Sequence, residues 1–158
     1  MAPAFDRFDQ LPMDVAPNAA RLLGDQAPEV GRFAVEAFDL PLQERADLCS
    51  AQYPAVKPAF TTATTELRRR YMSLLTQELE TEQFSILLKE EVPQGLFVLY
   101  RGQSAMRRQV NNKITQERCE AALSEYAGAS DQLLSSAIRV LLTAVKSRIA
   151  SDKEQAAK

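Results

Sequence analysis

The clearest alternation of apolar and polar positions lies near the C-terminus of the chain. Apolar residues recur there at steps of three or four positions, at Leu134, Ile138, Leu141, Val145 and Ile149. This spacing places their side chains on one face of an α-helix. Gly128 suits the end of one helix and Ser130 the N-cap of the next, so the pattern predicts a final helix over 131–150. Further apolar residues widen its face: Leu133, Ala137, Leu142 and Ala144.

Two more long helices are predicted upstream of this one. Over 62–92 no Gly or Pro interrupts the chain, and the apolar residues keep a helical period. Pro93 and Gly95 then break the run. A second run over 96–126 has apolar residues at steps of four, namely Met106, Val110 and Ile114. Its first five residues are also compatible with a short strand, but no second strand is available to pair with it.

The first half of the chain predicts shorter helices, over 15–24, 28–38 and 41–53. Pro41 separates the last two, because proline cannot donate the hydrogen bond that a helix interior requires. The helix that starts at Pro28 has a clear apolar stripe: Val30, Phe33, Ala34, Ala37 and Phe38.

These elements predict an all-α fold. Three long helices joined by short breaks favour an antiparallel bundle, with the shorter N-terminal helices covering its open face. The predicted organisation is an extended N-terminal arm over 1–14, a single helical domain over 15–150 and a polar C-terminal tail over 151–158.

The arm has an unusual pattern of its own. Phe5, Phe8 and Leu11 recur at every third residue, with acidic residues between them. Such a spacing can form one apolar edge that binds a partner protein. Folding back of these side chains onto the chain's own core is an equally good interpretation.

The composition argues against catalysis. The chain has 158 residues, a formal net charge of −2 and no histidine, so the commonest general base and metal ligand is missing. Glu78, Glu80 and Glu82 alternate along a predicted helix, and residues two apart cannot converge on one proton or metal. We therefore expect no enzyme activity, no metal site and no cofactor.

Cys49 and Cys119 lie far apart in the sequence. One pair is too few for a disulfide scaffold or for a structural zinc site. Buried free thiols in a reducing compartment are the favoured interpretation, and a single disulfide that joins two helices is the alternative.

Two clusters of arginine are candidate binding residues: Arg68, Arg69 and Arg70, and Arg107 with Arg108. On neighbouring helices they would form a positive stripe for RNA, anionic lipid head groups or an acidic protein. Pairing with the chain's own glutamates is favoured, because the overall charge is mildly acidic and gives no strong nucleic-acid signal.

Leu99-Tyr100-Arg101 resembles the signature of the LYR proteins, small mitochondrial helical bundles that act as respiratory-complex subunits or assembly factors. In that family the signature opens the first long helix, whereas here it starts a middle one. Gly102 and the lack of a clear downstream phenylalanine also depart from the pattern. Three residues assign the chain to no family.

Together these patterns favour a non-enzymatic accessory or scaffold subunit of a larger multi-protein assembly, with an organellar membrane complex as one setting. The expected partners are other protein subunits, contacted by helix faces and by Phe5, Phe8 and Leu11. The alternatives are an adaptor or chaperone that binds a partner segment in a helical groove, and an RNA- or lipid-head-group-binding module. No transmembrane segment or presequence is visible, so an intracellular location is expected, cytoplasmic or organellar, mitochondria included.

Overall fold

The computed structural model describes residues 28–110 and 113–157. Within these ranges the protein is all-helical, as predicted, and contains no strand. The five α-helices are α1 (Glu29–Gln52), α2 (Lys57–Leu79), α3 (Gln94–Val110), α4 (Gln116–Gly128) and α5 (Asp131–Ala156). Two 3₁₀ segments, Pro54–Val56 and Ser85–Lys89, lie before and after α2. The predicted arm over 1–14 and the predicted helix over 15–24 lie outside the described residues.

Helix α1 continues through Pro41, where the sequence predicted a break. Pro41 itself is exposed, while Leu40 and Leu42 on either side of it are buried. A proline removes one helical hydrogen bond and bends the axis. Burial of apolar residues both before and after Pro41 offsets that cost, so the two short helices predicted here are one helix.

Helix α2 ends at Leu79, earlier than predicted. A turn and the 3₁₀ segment Ser85–Lys89 follow it. Phe84, Leu87 and Val92 are buried along this stretch. The stretch therefore belongs to the core although it is not α-helical, which explains why its apolar periodicity resembled a continuing helix.

The segment that contains α4 and α5 runs parallel to the segment that contains α2. Tyr53 donates a hydrogen bond to the carbonyl of Ile114, 61 residues away, over 2.9 Å. The pairs Arg70–Asp131 and Glu78–Arg139 have the same separation of 61. Further along, Gln83–Lys146 and Glu90–Lys153 are separated by 63. A nearly constant separation means that the two segments share a direction, whereas short breaks had predicted antiparallel neighbours.

Helix α3 makes this parallel arrangement feasible, because it links the end of the first segment to the start of the second. The sequence predicted one helix over 96–126, but residues 113–115 are not helical and α4 begins at Gln116. The Thr115 side chain caps α4 by accepting a hydrogen bond from the backbone N–H of Arg118. The predicted N-cap at Ser130 is confirmed, since its hydroxyl accepts from Leu133 N–H.

Two groups of buried side chains form the core. The larger group joins the first half of α1, the second half of α2, the stretch that follows α2 and one face of α5, and includes Phe33, Leu75, Phe84, Ile138 and Leu142. The smaller group lies at the other end of α1 and contains Ala46, Cys49, Phe60, Cys119 and Ala122.

Cys49 and Cys119 form a disulfide between α1 and α4, with their Cα atoms 5.8 Å apart. Both residues are fully buried. The favoured expectation of free thiols is therefore wrong, because the second core group brings the two helices within bonding distance. Disulfides form and persist in oxidising surroundings, so the cysteines give no argument for a reducing compartment.

Helix α5 buries the predicted face, including Leu134, Ile138 and Val145. Leu133, which was predicted to widen that face, is 62% exposed. The helix also continues to Ala156, through most of the residues predicted as a polar tail.

Candidate protein-binding surface

The residues that the structure describes contain no cluster of three or more Cys, Asp or Glu side chains that could hold a metal ion. Among the alternating glutamates, Glu78 pairs with Arg139 over 3.1 Å, whereas Glu80 and Glu82 are exposed. The three carboxylates do not converge. Glu78, Glu80 and Glu82 therefore form no paired acid–base site with one another.

Arg68 belongs to a polar network between α1 and α2. Its guanidinium donates hydrogen bonds to the Asp39 carboxylate and to the Gln43 side-chain oxygen. Asp39 is 1% exposed. A buried carboxylate needs a paired cation and hydrogen bonds, so Arg68 has a structural task inside the protein.

The two following arginines point elsewhere and bind other acidic residues of the chain. Arg69 donates to Glu66 on the same helix over 3.0 Å. Arg70 donates to the carboxylate of Asp131 and to the carbonyl of Ala129, which ties the α4–α5 junction to α2. Successive helical residues differ by about 100° in direction, so the arginine triplet is not one positive patch.

The exposed pair Glu66–Arg69 shows the expected electrostatics. The hydrogen bond from Arg69 lowers the pKa of Glu66 from its usual value, and the pairing raises the pKa of Arg69. Both groups are solvent-exposed, so the pair contributes little to stability.

A polar cleft of about 510 Å³ lies between α1 and α2. Its lining includes Asp47, Ser50, Lys57, Thr61 and Arg68. Arg68 is engaged with Asp39 and Gln43, as described above. The buried apolar residues of its lining are Ala46 and Phe60, and most of the other lining residues are polar, so the cleft lacks the largely apolar lining typical of small-molecule sites.

Helix α3 is apolar on two opposite faces. Leu96 is buried, and Phe97 and Tyr100 pack edge-to-face on Phe33 of α1, with ring centroids 5.1 and 5.2 Å away. The other face is uncovered: Val98 is 68%, Leu99 50% and Met106 67% exposed. Soluble proteins rarely leave a cluster of large apolar side chains in water unless it serves an interaction.

All charged residues of α3 have the same sign. The helix contains three arginines and no acidic residue. Gly102 lies on the exposed side, and a Cβ atom added there would meet nothing within 4 Å. This exposed side, defined by Val98, Leu99, Gly102 and Met106, is called the outer face of α3.

The sequence pattern did not predict this surface. Met106 was assigned to the apolar stripe of the helix predicted over 96–126, and steps of four residues indicate a helix face without indicating whether that face is covered. The sequence of α3 did contain an indication of this surface. Its apolar residues at 96, 97 and 100 lie on one face of a helix, and those at 98, 99 and 106 lie on the opposite face. An amphipathic surface helix has one apolar face, and two predict a second contact.

The other predicted binding residues are placed as follows. Phe5, Phe8 and Leu11 lie outside the described residues. Arg107 and Arg108 lie near the end of α3, and their side chains fall outside what the structure describes. Arg68, Arg69 and Arg70 bind within the chain. The tripeptide shared with the LYR signature lies in α3, where Leu99 is exposed and Tyr100 faces α1.

Comparison with known proteins places the chain in no group: no family model, no curated protein and no solved structure matches it. Among the helices described over 28–110 and 113–157, none has both the length and the apolar character needed to cross a membrane.

Proposed function

We propose that the protein is a non-enzymatic accessory or scaffold subunit that binds a partner protein through the outer face of α3. The observation that carries the proposal is the exposure of Val98, Leu99 and Met106 on a helix whose opposite face is already packed against α1. Placing these side chains in an interface would remove apolar surface from water, at about 25 cal/mol per Å².

The partner segment is expected to be apolar and acidic. A helix with three arginines and no carboxylate favours a partner whose acidic residues flank an apolar stripe. Gly102 lets another backbone approach closely at the centre of the face. An amphipathic helix that is docked along α3 satisfies both requirements.

A second copy of the chain is a poorer occupant, because α3 contains arginines and no acidic residue, so two copies of the helix would bring together only like charges. A different, acidic protein is the better occupant. In this proposal Phe5, Phe8 and Leu11 provide a second contact to the same assembly.

The test compares two matched variants in native pull-downs. Val98→Glu places a carboxylate on the outer face of α3. Val140→Glu makes the same change at an equally exposed valine on α5, since the two are 68% and 69% exposed. The proposal expects a protein retained in fixed ratio by the wild type and by Val140→Glu, but lost with Val98→Glu.

The retained protein is then purified and titrated against the chain at increasing salt. Binding should weaken at least tenfold with Val98→Glu, and it should also weaken with ionic strength because arginines contribute. Equal retention by both variants would overturn the proposal. So would recovery that disappears on nuclease treatment, or binding to anionic vesicles with no protein partner.

A further inference from the structure

The part of the chain that precedes α1 enters the described fold beside α3. Val30 at the start of α1 and Leu96 at the start of α3 belong to the same buried core group. Phe33, about one turn further along α1, packs edge-to-face on Phe97 and Tyr100. The other end of α1, which the disulfide joins to α4, lies about 36 Å away along a helix of 24 residues. The N-terminal residues therefore reach the fold at the end that carries α3.

The predicted arm over 1–14 has the composition that the outer face of α3 favours. It contains Phe5, Phe8 and Leu11 together with three aspartates and one arginine. Helix α3 contains three arginines and no acidic residue. Opposite charges beside an apolar contact favour the pairing of two segments. The chain thus contains a segment of its own that is apolar and acidic, as the partner segment is expected to be.

The connection is long enough for the arm to reach this face. Sixteen residues separate Leu11 from Pro28. Even with ten of them in the helix predicted over 15–24, the connection spans up to about 35 Å. A helix with its side chains is about 10–12 Å across. The arm can therefore pass from the α1 side of α3 to the outer face.

A contact within one chain also needs little affinity. A short flexible connection gives the tethered segment an effective concentration of about 1 mM. A contact that separate molecules would form with a dissociation constant of about 1 mM is then half formed in every chain. Three large apolar side chains against Val98, Leu99 and Met106, with opposite charges beside them, need to supply only that weak affinity.

We infer that residues 5–11 cover the outer face of α3 in the free chain and that a partner must displace them. The competition with a partner rests on the proposed function, whereas the contact within the chain does not. Displacement frees Phe5, Phe8 and Leu11 for the second contact to the assembly. The arm then acts as an autoinhibitory segment, because binding at α3 is what makes the second contact possible.

The test is intramolecular cross-linking of the full chain with a short bis-maleimide. One protein carries Gln10→Cys and Gln103→Cys, since Gln103 is exposed on α3 next to the outer face. The matched control carries Gln10→Cys and Ser124→Cys, with the second thiol at an exposed position of α4. Cys49 and Cys119 do not react, because they are joined to each other. The α3 pair should cross-link at least about tenfold faster, at a rate independent of protein concentration.

Further changes in the Gln10→Cys, Gln103→Cys chain show whether the contact is specific. Val98→Glu and Phe8→Ser should each slow the cross-link about tenfold, to the rate of the α4 control. Val140→Glu, which places the same charge on α5, should leave the rate unchanged. Equal rates for the α3 and α4 pairs, or a rate that Val98→Glu does not alter, would overturn the contact.

Adding the protein retained in the pull-down tests the competition. The cross-link between positions 10 and 103 should fall in proportion to the fraction of chain bound. A partner that binds through α3 without lowering the cross-link would contradict displacement. An efficient cross-link with no retained partner would remove the proposed function and keep the contact, whereas a retained partner with no cross-link would do the reverse.

Discussion

Three consecutive arginines show, at the scale of single residues, what the sequence can predict and what only the structure reveals. Charge balance predicted correctly that Arg68, Arg69 and Arg70 pair within the chain. The sequence could not show that Arg68 reaches a buried carboxylate, Arg69 an exposed one and Arg70 the junction between two helices. That difference depends on which side of α2 faces α1 and α5, and only the tertiary contacts determine it.

The unequal tasks of these arginines predict unequal costs of removal. Arg68→Ala leaves the buried Asp39 carboxylate without its cation and is expected to lower the free energy of unfolding by about 2–3 kcal/mol, since the guanidinium is partly exposed. Arg69→Ala, its neighbour and control, should cost less than about 0.5 kcal/mol. Urea denaturation measures both, and equal effects would contradict the assignment.

Tyr71 is a buried phenol whose hydroxyl donates to the carbonyl of Ala34 over 2.8 Å. Its ring stacks on Phe38 with 3.9 Å between the centroids. Burial raises the pKa of Tyr71 well above its usual value, and the nearby Tyr100 adds to the rise. Partial burial likewise raises the pKa of Tyr126.

These shifts predict a loss of stability in alkali. A tyrosine whose pKa is higher in the folded state stabilises fully below the unfolded pKa of about 10, and its contribution falls as pH rises above that value. Tyr71→Phe should cost about 1 kcal/mol at pH 7 through the lost hydrogen bond, and it should make stability decline less steeply above pH 10. Unfolding curves between pH 7 and pH 11 check this, with Tyr126→Phe as the comparison. An unchanged slope for Tyr71→Phe would contradict a buried phenol.

At the scale of elements, the sequence predicted helix content better than helix boundaries. The helix end at Gly128, the N-cap at Ser130 and the buried face of α5 agree with the structure. The predicted helix break at Pro41 was wrong, because a single proline can be tolerated where both halves of a helix bury apolar residues. The predicted continuation of the helix past Leu79 was wrong for the opposite reason, because the apolar spacing persists where the backbone is no longer α-helical. The spacing of apolar residues therefore indicates which positions are buried more reliably than it indicates the backbone conformation.

The disulfide connects two elements that the sequence could not pair. It closes a loop between residues 70 positions apart, for which the chain-entropy relation gives a stabilisation of about 4.4 kcal/mol before any strain in the native state is subtracted. Cys49→Ala with Cys119→Ala is therefore expected to lower the free energy of unfolding by about 2–4 kcal/mol. Guanidinium denaturation of the wild type with and without reductant is the control. Identical curves would mean that the bond contributes nothing.

Gly102 weakens α3 at a position where nothing in the described structure requires a glycine. Its Cβ position is open, so Gly102→Ala should stabilise the protein by about 0.5–1 kcal/mol by lowering the entropy of the unfolded chain. Gly95→Ala, in the first turn of the same helix, should gain less. Thermal unfolding measures both. A destabilising Gly102→Ala would show that the backbone of α3 is packed more closely there than the open Cβ position indicates.

At the scale of the whole molecule, the main difference from the prediction is the relative direction of the two long segments. Short connections predicted antiparallel neighbours, yet the segments over 53–90 and 114–153 run side by side in the same direction. The sequence could not reveal this, because the return of the chain depends on α3 acting as a separate helix and not as the first half of a longer one. The same error concealed the candidate surface, since one long helix over 96–126 was expected to have a single apolar stripe, whereas α3 has two.

The position of the disulfide has a consequence for proteolysis. The bond joins residues 49 and 119, so it encloses all of α2 and α3 within one covalent ring. A protease that cuts any single peptide bond inside that ring releases no fragment: the nicked protein keeps its full mass on a non-reducing gel and separates into two pieces only after reduction. A partner could thus be lost to cleavage of α3 while the rest of the molecule stays whole.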